Sequence, residues 1–204
     1  MPDLGTVITA IVTPFDERLR VDEEAFVSLL RHLAANGSDG FVVCGTTGEA
    51  STLSDEEQIG LVELALSERP DGVAIIAGAG SNDTRHAVHL TERATELGAD
   101  ALLSVNPYYN RPSRRGIVRH YEEIVRATEL GADALLSVNP YYNRPSRRGI
   151  VRHYEEIVRA TDKPMLLYNI PSRTGSDLPN DLLAELAQLD NIVGVKQANH
   201  DNLA

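Results

Sequence analysis

Apolar, β-branched-rich runs recur along the chain, and stretches with a helical period separate them. The runs fall at 7–12, 40–44, 73–77, 101–105, 134–138, 165–169 and 192–196. Their starts lie roughly 26–34 residues apart, the length of a strand plus a crossover helix. Most are apolar at nearly every position rather than at alternate ones, which predicts burial on both faces and a parallel sheet covered by helices. The helices are punctuated by their own signals. Asp22 can cap a helix that stops near Asn36-Gly37, and Ser54 with Glu57 forms a capping box for a helix running to about Arg69-Pro70. A third runs from near Asn82 to Leu97-Gly98, Ser113 and Ser146 start two more, and 178–189 predicts another. Residues 199–204 read as the opening of a further helix. No Pro/Gly/Ser-rich linker divides the pattern, so one domain is expected over 1–204.

One feature of the pattern is a copy. Residues 93–128 and 126–161 are identical at every position, at an offset of 33, and the tripeptide Arg-Ala-Thr bounds both at 93–95, 126–128 and 159–161. Structural repeats that have diverged drift at surface positions, and this pair has not. Unequal recombination between two Arg-Ala-Thr helix ends of a shorter ancestor, or an error of sequence assembly, accounts for such a duplication. Two copies are too few for a solenoid, which needs about three units or more.

Repeating β-α units fit an open doubly wound sheet or a closed (β/α) barrel. No Gly-x-Gly-x-x-Gly follows the first strand, which weighs against the dinucleotide-binding sheet. A full barrel takes eight strands and about 250 residues. The expected fold is therefore α/β, a (β/α)8 TIM barrel that is C-terminally truncated and carries one duplicated β-α unit.

Composition narrows the classes. The chain has 204 residues, of which 42% are hydrophobic and 24% charged, enough apolar content for a substantial core. It carries 19 basic against 30 acidic residues, a net charge of −11, which argues against nucleic-acid binding through phosphate neutralisation. The single cysteine, Cys44, sits in the apolar run Phe41-Val42-Val43-Cys44 and reads as a small buried hydrophobe. The first residues lack a basic and apolar leader, and no run approaches membrane-spanning length, so a reduced, cytoplasmic setting without membrane or nucleic-acid partners is expected.

Candidate chemistry gathers where barrel strands end, at their C-terminal sides. After the second strand stands Gly45-Thr46-Thr47-Gly48-Glu49, which fits equally a loop presenting amides and hydroxyls to a ligand or a glycine turn into the next helix. Asn106-Pro107-Tyr108-Tyr109-Asn110 ends the fourth strand and recurs as 139–143; its tyrosines could relay protons, but packing is the simpler reading. Tyr168 ends the sixth run, and Arg173, five positions on, could grip a carboxylate. Lys196 ends the last run, where burial would disfavour its charge and leave an amine able to attack a ketone. Alone, a lysine there more often snorkels to water; the phenol, the arginine and the paired hydroxyls favour chemistry. His86 and His89, spaced i, i+3, read as a solvated helix face, and no metal-ligand cluster, phosphate loop or nucleophile elbow is present.

Taken together, Gly45–Glu49, 106–112, 168–175 and 194–196 resemble the dihydrodipicolinate synthase family of pyruvate-dependent class I aldolases, and the resemblance spans about residues 5–204. It implies that Lys196 forms a Schiff base with pyruvate, with no other cofactor or metal. It implies that Tyr168 is the central proton donor and acceptor and that Thr47, beside Gly48, holds the pyruvate carboxylate. Thr46 would link Tyr168 to a second tyrosine supplied by a neighbouring subunit of a homo-oligomer, a dimer of dimers. That tyrosine matches Tyr109 in one copy and Tyr142 in the other. Arg173 would bind the carboxylate of the second substrate, L-aspartate 4-semialdehyde. Superfamily relatives that cleave sugar acids use the same lysine and tyrosine, but the paired threonines and Ser172-Arg173-Thr174 favour the synthase. The family continues past Lys196 with two more strands and a helical region, so an inactive fragment is the competing expectation. In lysine-inhibited members the inhibitor pocket often carries other residues at the positions of Asp55, Gln58 and His86, while Asn82 and Tyr108 (or Tyr141) fit.

Overall fold

All seven apolar runs become strands. The computed structural model describes residues 4–128, 134–140 and 144–198. The strands are β1 (Ile8–Ala10), β2 (Gly40–Val43), β3 (Ala74–Gly78), β4 (Ala101–Ser104), β5 (Leu135–Val138), β6 (Met165–Asn169) and β7 (Ile192–Gln197). Each pairs in parallel with the next in sequence, giving the order β1-β2-β3-β4-β5-β6-β7. A doubly wound sheet reverses direction at its switch point; this one never does. Right-handed crossovers then put every helix on the same side, and the other side curls inward. The architecture is α/β of the barrel type.

The helices between them are α1 (Glu23–Ala35), α2 (Asp55–Glu68), α3 (Thr84–Glu96), α4 (Arg114–Thr128), α5 (Arg147–Ala160), α6 (Pro171–Thr174) and α7 (Asn180–Leu186). Their starts follow local chemistry. Asp22 accepts from Ala25 N at 2.9 Å. Glu57 N donates to Ser54 Oγ at 3.2 Å while Ser54 N donates to Glu57 Oε2 at 2.8 Å, so the capping box closes in both directions. Asp83, one residue beyond the expected start, caps α3 by accepting from Arg85 N. Ser113 and Ser146 both accept from the amide three residues on, at 3.3 Å.

Along each strand alternate residues serve two cores. Phe41, Val43, Ile75, Ala77, Leu102 and Leu135 lie under the helices, whereas Val42, Ile76, Leu103, Leu136, Val138 and Tyr168 pack together on the inner face. β2 and β5 are buried throughout, as expected of strands covered on both sides. β1 is only half-buried and β7 alternates, exposing Val193 and Val195. Both lie at the ends of the strand order, where one flank has no strand neighbour among the described residues.

The duplicated unit is built into the sheet, not looped out. Leu102 pairs with Leu135, Leu103 with Leu136 and Ser104 with Ser137, so each residue lies beside its own copy. α4 and α5 follow as two consecutive helices of the outer layer. The structure adds two short elements that the apolar pattern does not predict, a 3-10 turn at Ala50–Thr52 and the single turn α6; α6 opens on Pro171 and ends where Gly175 adopts a left-handed φ of 62°. Proline at the first helical position and glycine just past the last are the signals that mark it. The expected helix at 199–204 lies outside the described residues.

Candidate active site

At the C-terminal ends of the strands a cavity of about 490 Å3 opens into the barrel. It is lined by Thr46, Tyr108, Val138, Tyr168, Arg173 and Thr174, and on another side by Ser81, Asn82 and His86.

The loop after β2 turns sharply. Cys44 takes a left-handed φ of 54°, and Gly45 O accepts from Gly48 N at 3.1 Å and Ala50 N at 3.4 Å. The turn is wedged against β3, where a Cβ on Gly78 would sit 2.0 Å from Cys44 O; only glycine lets the strand pass so close. Thr13 Oγ1 donates to Gly48 O at 2.7 Å and fixes the far side. The outcome is a rigid loop with Thr46 and Thr47 exposed, of which Thr46 lines the cavity. Gly48 is buried behind it, packed on Ile11 O and Thr13 with its N–H already donated to Gly45, so its part is to hold the turn.

Tyr168 and Lys196 are paired residues of β6 and β7, and parallel register aims both to the inner face. Lys196 Nζ lies 4.1 Å from the centroid of the Tyr168 ring. Burial lowers the lysine pKa from 10.5 to about 8, because a charged amine loses more hydration than a neutral one. Burial also raises the Tyr168 phenol above 10, with the Arg173 guanidinium pulling the other way. The pair thus holds its proton on the phenol while the amine gives one up close to neutral pH. Arg173 sits exposed on α6 at the rim of the cavity.

Tyr168, Thr46 and Arg173 therefore line one cavity, and Lys196 lies against the Tyr168 ring without itself being part of the lining. Thr47 adjoins the group without lining the cavity. Tyr109 is 72% exposed and does not line the cavity, whereas Tyr108 does. The backbone of Tyr109 donates to Asn82 Oδ1 at 3.3 Å, and Asn110 Nδ2 donates to Asn82 O at 3.0 Å, which docks the first-copy loop on the turn after β3. Tyr142 and Tyr141 lie outside the described residues.

His86 corrects the reading of a solvated helix face. It is half-buried, with Nδ1 3.0 Å from Ser81 Oγ and Nε2 2.8 Å from Asp55 Oδ1. Helical spacing could not reveal this, since Asp55 approaches from another helix. Cys44 is buried and its thiol is pushed up to about 12 by desolvation, which leaves it unreactive. Among the described residues no cluster of three His, Cys, Asp or Glu could hold a metal ion, and no helix is long and apolar enough to cross a membrane.

Comparisons with known proteins agree with this geometry. The sequence model of the Dihydrodipicolinate synthetase family matches residues 3–130 and again 126–203, so its two matches meet where the two copies join. The 4-hydroxy-tetrahydrodipicolinate synthase of Methanothermobacter thermautotrophicus is 38% identical over 197 residues, covering 97% of this chain and 58% of its own length. That of Desulfotalea psychrophila is 40% identical over 189 residues, covering 93% of this chain and 52% of its own. Among solved structures, the lysine-bound enzyme of Cyanidioschyzon merolae superimposes with a TM-score of 0.67 at 37% identity, over 97% of this chain and 57% of that one. The pyruvate complex from Acinetobacter baumannii gives 0.64 at 37% identity, over 95% and 55%. The chain thus spans about half the length of the curated relatives it matches. A family match over nearly all its residues, with a lysine and a tyrosine paired at the strand ends of a barrel-type sheet, places this chain in the Dihydrodipicolinate synthetase family.

Proposed function

We propose that this site joins pyruvate to L-aspartate 4-semialdehyde, giving 4-hydroxy-tetrahydrodipicolinate, through an imine on Lys196. The observation that carries the reading is the half-buried amine 4.1 Å from the ring of Tyr168. Neutral Lys196 attacks the pyruvate ketone, and loss of water gives the imine. Its positive nitrogen draws electrons from the methyl carbon, which loses a proton to become an enamine nucleophile. No further electron sink is required, so the scheme uses no bound cofactor or metal. In this scheme Tyr168 shuttles protons, Thr46 links it to a second tyrosine, Thr47 receives the pyruvate carboxylate, and Arg173 holds the carboxylate of the acceptor aldehyde. The names of the relatives support the substrate pair. The exposure of Tyr109 supports a homo-oligomer in which this tyrosine completes a neighbouring subunit's proton relay, with Tyr142 as its counterpart in the other copy. A reduced cytoplasmic setting fits such a biosynthetic enzyme.

Trapping with borohydride tests the reading cleanly, because Lys163 and Lys196 are the only two lysines in the sequence. Pyruvate plus borohydride should add one adduct, mapped to Lys196 by peptide mass spectrometry, and Lys196→Arg should abolish it. Its rate should rise with pH through a midpoint near 8 rather than 10.5, since the amine must be neutral to attack. A protein that stays unlabelled, or is labelled mainly at Lys163, would overturn the proposal. Turnover of keto-sugar acids in place of the semialdehyde would move it to the sugar-acid aldolases.

A further inference from the structure

Asn106 and Asn139 are the same residue of the two copies, each just past the end of its strand and each buried. Each also leaves Oδ1 without a hydrogen-bond partner, so all the bonding of these two buried amides rests on Nδ2. There they part. Asn106 Nδ2 donates to Val138 O at 2.7 Å, a link from β4 to β5. Asn139 Nδ2 donates at 2.6 Å to Ser176 Oγ, in the segment that carries Arg173.

That segment needs holding. α6 has four residues, far below the length at which a helix sustains itself. Its ends are tied to its own strand: Asn169 Nδ2 donates to Asp177 Oδ1 at 2.8 Å, and Leu178 N donates to Asn169 Oδ1 at 3.1 Å. In the middle, Thr174 Oγ1 lies 3.0 Å from Ile170 O and 2.7 Å from Ser176 O, closing the turn on itself. These bonds give the segment a shape but leave it hinged on β6. The bond from Asn139 fastens it to the neighbouring strand. Arg173, exposed and long, can aim a fixed guanidinium into the cavity only from a fixed backbone.

We infer that the second copy, through Asn139 and Ser176, is the positioning element for Arg173, and that the first copy, through Asn106, is not. This rests on the proposal that Arg173 receives the acceptor's carboxylate. The twin sequence supplies its own control: Asn139→Ala and Asn106→Ala make the same substitution in the same local sequence.

Hydrogen–deuterium exchange at 170–178, read by mass spectrometry, needs no activity. It should quicken about tenfold in Asn139→Ala and stay near the unaltered rate in Asn106→Ala, one hydrogen bond being worth roughly a factor of ten. Ser176→Ala removes the same bond from the loop side should Asn139→Ala fold poorly, and the double variant should be no worse than either single one. In steady state, Asn139→Ala and Ser176→Ala should raise KM for the semialdehyde about tenfold while kcat and pyruvate trapping at Lys196 hold within about twofold. Equal loosening in Asn106→Ala, or no change in Asn139→Ala, would overturn the assignment. Absence of semialdehyde turnover in the unaltered protein would strike the functional proposal instead, and the exchange result would still decide the role of Asn139.

Discussion

His120 and His153 occupy one position in two copies of a single sequence, yet they sit in different chemistry. On α4, His120 Nδ1 lies 2.9 Å from Thr84 Oγ1 of the preceding helix, 36 residues earlier. On α5 the preceding helix is α4 itself, and the corresponding residue is Ile117, which has no hydroxyl. His153 lines a groove with Ile117; Nε2 is buried without a partner in both histidines, so the copies differ in the threonine that only His120 meets at Nδ1. Desolvation lowers both histidines, His153 to about 3. The tyrosines beside them diverge in the same way. Tyr121 OH pairs with Ser137 Oγ at 2.9 Å, whereas Tyr154 OH donates to Ser137 O at 3.3 Å. A residue's environment is set by the element that packs against it, and duplication alters the neighbours of both copies while altering neither sequence.

The largest test of this contrast lies in the core. Ile124 belongs to the apolar cluster beneath α1–α3, and Ile157 to the cluster around β6 and α7. Ile124→Ala and Ile157→Ala should each cost about 2–4 kcal/mol in denaturant unfolding. Their costs should add, because the clusters are distinct. Strong non-additivity would mean that the two clusters are coupled through the contact between α4 and α5.

Acid separates the histidines next. With its folded pKa far below the ordinary 6.5, His153 leaves the unfolded chain binding more protons between pH 6.5 and about 3. Stability should therefore fall as pH drops through that window, by on the order of 2–3 kcal/mol down to pH 4. His153→Phe should remove most of that slope, and His120→Phe less of it. Equal flattening by both would break the comparison.

The smallest effects concern the missing hydroxyl. Thr84→Val removes the Nδ1 partner of His120 and should cost about 1–2 kcal/mol in thermal unfolding. Ile117→Thr gives His153 a possible partner but removes buried apolar surface, so it should change stability by less than about 1 kcal/mol. A larger loss from Ile117→Thr than from Thr84→Val would show that shape, not hydrogen bonding, governs this position.

Much of the molecule could be read in advance because its signals are local. Every strand followed from an apolar run, and Asp22, Ser54 and Ser146 begin helices because a side-chain oxygen meets an amide two or three residues ahead. The pairing of Tyr168 with Lys196 followed from two strand ends and the in-register logic of a parallel sheet. The exceptions share one cause. Asp55 meets His86 from another helix, and Gly48 is buried behind its loop instead of lining the cavity. Each depends on the orientation of a loop or the approach of a distant element, which no spacing along the chain encodes.

By itself, then, the sequence determined the element order, the barrel-type sheet, the family and a lysine, phenol and arginine at neighbouring strand ends, because periodicity, caps and strand order are short-range properties. Tertiary structure alone decided which of two identical asparagines reaches the arginine's loop, which of two identical histidines keeps a partner, and how far burial depresses the lysine. Those outcomes depend on who the neighbours are, and two copies of one sequence cannot share the same neighbours.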